Sequence, residues 1–405
     1  MHAHLSAARA AQSCSRGVRA SLFRSAGILG CVAVFTAAAC SSATKKASTT
    51  APASGGAEVH VVNVTMTGDE CVADRAEYAA GALTFIIENK DATGIKEVEI
   101  LQGERILGEK ENLPPGFKST LSLDLSAGDY ALFCPGAINS RVPFTVTGTR
   151  AVQASGSTHD LLIKATEDYK SYVVEQVGLL VKYTAPLLAA LKGNEVATAQ
   201  AAYIAARPYY ERIEPVAEKF SDLDASIDAR PETGQTIDQI TGFHRVEYGL
   251  FTLKSLSGLA PVGDRLLSDV KALQARTSDL TYQPADLANG ATALLEEVSS
   301  GKLTGEEEAY SHIDLLDMQA NVEGSQQLFA LLEAGLTKID PDTATTIAAR
   351  FTALDKVVDG FRDTNDPSGL RRYDTLSAEE TKNLQEAVLA VHDPLSRVAA
   401  KVVNA

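Results

Sequence analysis

Tryptophan is absent from the 405 residues and methionine occurs only three times. That scarcity excludes a Met-rich groove of the kind that captures amphipathic helices. Basic residues are also in deficit, 37 Lys and Arg against 52 Asp and Glu, for a formal net charge of −15. The first 40 residues hold Arg9, Arg16, Arg19 and Arg24 and no acid, so without them the balance is 33 against 52, or −19. A phosphate-binding surface needs the opposite balance, which argues against nucleic acid as a partner. Histidine is sparse at seven, and no H-E-x-x-H, G-x-S-x-G or phosphate-cradling loop occurs. The signatures of zinc peptidases and of serine hydrolases are therefore missing.

What is present begins with an export signal. Arg16, Arg19 and Arg24 precede an apolar stretch, 26–39, too short to span a bilayer comfortably. The run T-A-A-A-C-S-S, 36–42, resembles a bacterial lipoprotein cleavage site with Cys40 as lipid anchor; the alternative is an ordinary cleaved signal. Residues 1–39 then form a signal peptide and 40–57 a flexible tether of Ser, Thr, Ala, Lys and Pro. The implied location is outside the cytoplasm, lipid-anchored to the outer face of the cell membrane or periplasmic. Membrane contact is through the lipid alone. Cys14 and Cys31 fall in the presequence, which leaves Cys71 and Cys134 for the folded protein. They are either a disulfide or a pair of metal ligands, and spacing does not choose between these.

The rest has two textures. Residues 58–150 read as short strands (59–64, 83–89, 96–101, 120–125, 130–134 and 142–147) with Gly, Pro and Asn between them, which predicts a β-sandwich. From 158 to 405, Ala and Leu dominate and apolar residues recur every three or four positions. About eight helices are expected, broken near Gly193, 230–234, Pro261, Pro284, 301–305, Pro341 and 366–369. Thr304 with Glu307 and Ser377 with Glu380 have capping-box spacing. The expected fold is β followed by all-α, with room for two four-helix bundles.

Within the helical texture, Glu211 with Glu214, and His244 with Glu247, stand at i and i+3. That spacing places each pair on one helix face, the way bundle metal sites are built. Oxygen-rich ligands with one imidazole favour iron over zinc or copper(I). Pro215 should kink the chain after Glu214. Glutamates on helices usually face solvent, but His244 and Glu247 lie among Phe243, Val246, Leu250 and Phe251. Asp222, Asp224 and Asp228 add acid nearby, and His312, Asp314 and Asp317 are a second group.

The runs Y-E-R-I-E-P-V-A-E-K-F-S-D-L-D-A-S-I-D-A-R, T-G-F-H-R-V-E and Y-S-H-I-D-L-L-D-M-Q-A-N-V-E-G-S are similar to those of the EfeO family, components of the EfeUOB iron uptake system. The resemblance covers about residues 58–403. It implies a cupredoxin-like sandwich followed by an imelysin-like helical domain with an H-x-x-E motif. The helical metal site it implies is Glu211, Glu214, Asp228, His244 and Glu247, with His312 and Asp314 as candidates for a second. In the β-domain it implies Cys71, Glu97, Glu99 and Cys134 as an iron or copper site. A blue-copper centre is excluded there, because residues 61–150 contain no histidine. The expectation is therefore an iron-binding protein (Fe2+ or Fe3+, with copper and zinc as alternatives) and not an enzyme. It would hand iron to an EfeU-type permease alongside an EfeB-type haem peroxidase. Affinity should fall as pH drops through the titration of His244, near ~6.5 for a free imidazole. The rival readings are an imelysin-type metallopeptidase and a binder of anionic polysaccharide.

Overall fold

A computed structural model describes residues 60–149, 156–231 and 234–405. The signal, Cys40 and the tether lie outside the described residues. Strands β1 (His60–Thr67), β2 (Glu70–Ala73), β3 (Glu77–Ala79), β4 (Gly81–Asn89), β5 (Val98–Gln102), β6 (Arg105–Lys110), β7 (Lys118–Leu125), β8 (Gly128–Phe133) and β9 (Arg141–Thr147) form two sheets. One has the order β2-β1-β4-β7, the other β3-β9-β8-β5-β6. Alternating Leu83, Phe85 and Ile87 of β4 meet Val98, Ile100 and Leu132 of the facing sheet in one apolar core.

The sandwich expected from the spacing is there, with three strands the spacing did not reveal. β2 and β3 are four and three residues long. β6, R-I-L-G-E-K, lacks alternation because Gly108 stands where Leu121 and Leu123 press in; a Cβ there would meet both at 3.1 Å. Gly103, at φ +66°, makes the turn from β5 into β6. This hairpin matters later, because its register sets Glu99 opposite Glu109.

Helices α1 (Ser157–Leu191), α2 (Val196–Glu211), α3 (Glu214–Ala217), α4 (Ser221–Ile227), α5 (Gly242–Glu247), α6 (Leu259–Thr277), α7 (Pro284–Glu296), α8 (Asp314–Ile339), α9 (Pro341–Asp359), α10 (Ala378–Leu395) and α11 (Val398–Val402) follow. Helices α7, α8, α9 and α10 close a four-helix group; α1, α2 and α6 form a second with short α5. Helix α8 packs in both, and one apolar core runs from Leu162 through Leu294 and Phe351 to Val402. Pro284 and Pro341 open helices, where proline's missing N–H costs nothing. Pro261 lies in the first turn of α6 for the same reason and does not break it. Ser377 and Glu380 form the expected capping box. Thr304 and Glu307 do not, since no helix starts there.

The sandwich rests on the helices. Asn289 Nδ2 donates to the Ser122 carbonyl at 2.7 Å. Lys110, buried, reaches Glu296 at 2.7 Å, and His392 meets the same carboxylate at 3.0 Å. Charge-assisted bonds of this kind contribute about 1.5–3 kcal/mol. Lys110→Ala should therefore lower stability by roughly 2 kcal/mol in urea denaturation. An unchanged midpoint would mean the seam is not held there.

Candidate metal centre

The centre is assembled where regular helix fails. Helix α2 ends at Glu211, and α3 restarts at Glu214 with Pro215 in its first turn. The break expected after Glu214 thus falls before it, at Arg212 and Ile213. Gly242 opens α5 at φ +83°, and a Cβ there would lie 2.2 Å from the Ile227 carbonyl oxygen. Only glycine allows that approach, which brings His244 against Asp228 at the end of α4. A π-helical turn, Tyr248–Thr252, follows α5, and another, Glu297–Gly301, precedes Lys302. Such turns re-aim side chains and collect at functional sites.

His244 is 1% exposed. Its Nδ1 lies 3.2 Å from Glu247 Oε2. Glu247 Oε1 accepts from the backbone N–H groups of Tyr310 and Ser311 at 2.8 and 2.7 Å. Glu247 is thereby locked and fixes the ring, leaving Nε2 to face inward. Nε2 has no hydrogen-bond partner; Asp228 Oδ1 and Glu307 Oε1 each stand 3.6 Å away. Two donors about 2.1 Å from one ion at a tetrahedral angle are about 3.4 Å apart, so this spacing is that of a coordination edge. All three donor atoms lie within 4.8 Å of one another.

Two buried cations complete the arrangement. Arg207, from α2, pairs with Asp228 and Glu211, and reaches Asp317 at 2.8 Å and Glu308 at 3.0 Å. Lys302 Nζ lies 2.7 Å from Glu211, 3.2 Å from Glu214 and 3.4 Å from Glu307. Arg230 reaches the other oxygen of Glu307 at 2.9 Å. Seven acids, Glu211, Glu214, Asp228, Glu247, Glu307, Glu308 and Asp317, crowd around Arg207, Lys302, His244 and the more exposed Arg230. Burial raises the carboxyls of Glu214, Glu308, Asp228 and Asp317, the last to about 8, so the crowded acids share protons that an entering cation would displace.

The nearest acids also set the protonation state of the histidine. Burial alone would push the His244 imidazole down, but Asp228, with Glu247 and Glu307, raises it to about 10. Burial works against ionised Glu307, yet Lys302, His244 and Arg230 hold its carboxyl well below the usual range. Asp228 is raised by burial. Without metal the ring is thus held as the imidazolium, and a metal at Nε2 must expel its proton.

The residues expected from the sequence do not all meet at one point. Glu211 and Glu214 come together with Asp228, but the two glutamates hold the Lys302 ammonium and Asp228 pairs with Arg207. Glu247 orients the imidazole instead of closing the inner donor set with Glu211. A further group of His244, Glu247 and Glu308 converges on the Nδ1 side. Its carboxylates are already engaged by backbone N–H groups, Tyr203 and Ser311. Among the described residues His312 and Asp314 form no such group: His312, at φ +58°, shapes a turn and donates its N–H to the Glu308 carbonyl. Asp314 accepts the Glu308 N–H at 3.1 Å, and so holds in place the loop that carries Glu307.

Glu307 is the residue sequence reasoning missed. Its spacing from Thr304 reads as a cap, and only the irregular loop 305–313 turns it inward. Beyond the i,i+4 spacing of Arg207 and Glu211, Arg207 and Lys302 carried no signal, because their carboxylate partners include residues 88 to 110 positions away.

In the β-part, Cys71 and Cys134 are joined in a disulfide, so neither offers a thiolate. They lie in the sandwich core with Val98 and Ile100. Glu97 and Glu99 point to the opposite face, by the alternation of the strand. The four-residue site of cysteines and glutamates is therefore not formed. Glu97 instead joins Glu109 and Glu111, the three carboxylates lying within 4.8 Å of one another. Burial and mutual repulsion push Glu99 and Glu109 up to about 8 and Glu111 to about 10.

A wide cleft of about 1140 Å3 opens onto the helical centre, with His244, Glu247 and Glu307 on one side and Lys96, Glu111 and Asn112 on the other. The sandwich thus forms one wall of the entrance.

A β-sandwich set on a helical part that carries H-x-x-E defines an imelysin-type protein with a cupredoxin-like companion domain. Residues 165–398 match the family model described as Imelysin, and residues 30–143 that described as Cupredoxin-like domain. The iron uptake system components EfeO of Escherichia coli (strain K12), Escherichia coli O157:H7 and Shigella flexneri are each 37% identical to the chain over 348 residues. These alignments cover 84% of this chain and 91% of each relative. The chain belongs to the EfeO family.

If Glu247 orients the imidazole without binding metal, Glu247→Gln should weaken iron binding about tenfold, as losses of such partners do. Isothermal titration measures it, and complete loss would make Glu247 a direct ligand.

Proposed function

We propose that the protein captures iron outside the cytoplasm at the centre formed by Asp228, His244 and Glu307, and passes it to a membrane permease of the EfeU type. The observation that carries this reading is the buried Nε2 of His244, which makes no hydrogen bond and faces two carboxylates at 3.6 Å on an open cleft. An imidazole with hard oxygen donors suits iron better than soft metals. The iron uptake role of the relatives agrees. Glu211 and Glu214 form the next shell of charge around Lys302. Glu97, Glu109 and Glu111, with Glu99 beside them, are a second candidate cation site on the sandwich. An EfeB-type haem peroxidase is the expected companion, and Cys40 the anchor.

The peptidase reading is disfavoured by the same geometry. Glu247 would have to activate water, but both its oxygens are engaged. Anaerobic titration with ferrous iron tests the proposal. Parent protein should bind and Glu307→Gln should bind far more weakly; equal binding would exclude this centre.

A further inference from the structure

Building on the capture reading, we propose that Lys302 is a tethered cation that competes with incoming iron for the carboxylates of the centre and eases its release. Lys302 is fully buried, with no exposure. An ammonium has three donors and no acceptor, and here they meet three carboxylates, Glu211, Glu214 and Glu307. Lys302 thus stands where a metal ion would neutralise the same oxygens.

The competition follows from one shared atom. Glu307 Oε1 lies 3.4 Å from Lys302 Nζ and 3.6 Å from His244 Nε2. Iron bound at Nε2 would use that oxygen, and so place two or three positive charges close to the ammonium. The repulsion is strong in a buried site. Space lies beside two of the carboxylates that hold the lysine. A cavity of about 150 Å3 joins Glu214 and Glu307 to Glu111, Glu218 and Glu297. Lys302 already feels the charge of Glu297. Its side chain has four rotatable methylenes and stands on a short 3-10 turn between Gly301 and Gly305.

Arg207 differs. Its planar fork is held by carboxylates from several elements, and it lies over the Phe243 ring at 5.2 Å. Arg207 stays while Lys302 moves. Iron then binds less tightly than the bare carboxylate cage would allow, and the returning ammonium helps to expel it. A carrier needs that moderation.

The full-length protein tests this in two ways. In anaerobic titration with ferrous iron, Lys302→Met should bind at least about tenfold more tightly than parent and surrender iron to a chelator more slowly. Equal or weaker binding by a folded variant overturns the proposal. Should that variant fail to fold, Lys302→Gln answers, since it removes the charge and keeps two hydrogen-bond donors. It too should bind iron more tightly than parent. Equal or weaker binding by folded Lys302→Gln overturns the proposal. A parent that binds no iron would remove the capture reading, and the lysine's role with it. A parent that binds iron, beside an unchanged Lys302→Met, removes only the lysine's role.

Discussion

His244→Ala is expected to bind ferrous iron at least about 100-fold more weakly than the parent protein, with little change in fold. The substitution removes the one nitrogen donor and leaves Asp228 and Glu307 to hold the ion. Those carboxylates are already shared with Arg207, Lys302 and Arg230. Without the imidazole they would turn to the protein's own cations. Loss of an orienting partner alone costs roughly 10–100-fold, so loss of the ligand should reach the upper end or beyond. The imidazolium also balances buried charge, so stability should fall modestly. Circular dichroism and a thermal scan separate that effect from lost binding. A folded variant with parental affinity would place the iron elsewhere.

The second large effect is on pH. A free imidazole would give a break in affinity near ~6.5. The structure moves that break. Asp228, Glu247 and Glu307 overcome burial and the nearby Arg207 charge, and hold the His244 imidazolium to about 10. The empty protein is protonated at His244 throughout the physiological range, and iron must displace that proton. Affinity should therefore rise about tenfold per pH unit across neutrality, or about 100-fold from pH 6 to pH 8. The sign follows from binding being coupled to proton release: fewer protons in solution favour the loaded state. The Asp228 carboxyl is raised as well, and its protonation at the acid end would steepen the slope. Titrations in buffers of different ionisation enthalpy should register at least one proton released per iron. A flat profile above pH 7 would contradict a protonated His244.

Much of the architecture was legible in the sequence because period two and period 3.6 are strong signals over long runs. Strand β4 alternates cleanly, and the Ala- and Leu-rich texture marks the helices. What escaped was short or irregular. Strand β6 has no alternation and hides behind Gly108, and with it went Glu109 and Glu111, which face Glu97. The H-x-x-E spacing located His244 and Glu247 correctly on one helical face, but not their separate tasks. Spacing says which side chains share a face; it does not say which oxygen is already claimed by a backbone N–H. The role of Glu307 depends on an irregular loop, and those of Arg207 and Lys302 on contacts across roughly a hundred residues. Local pattern carries no information about such contacts. The disulfide between Cys71 and Cys134 decided an alternative that spacing left open.

The most direct measurement is X-ray absorption at the iron edge on loaded protein, parent beside His244→Ala. The account predicts one imidazole nitrogen among oxygen neighbours, no sulfur, and loss of the imidazole signal in the variant. A sulfur neighbour at about 2.3 Å, or an imidazole signal that survives His244→Ala, would contradict it.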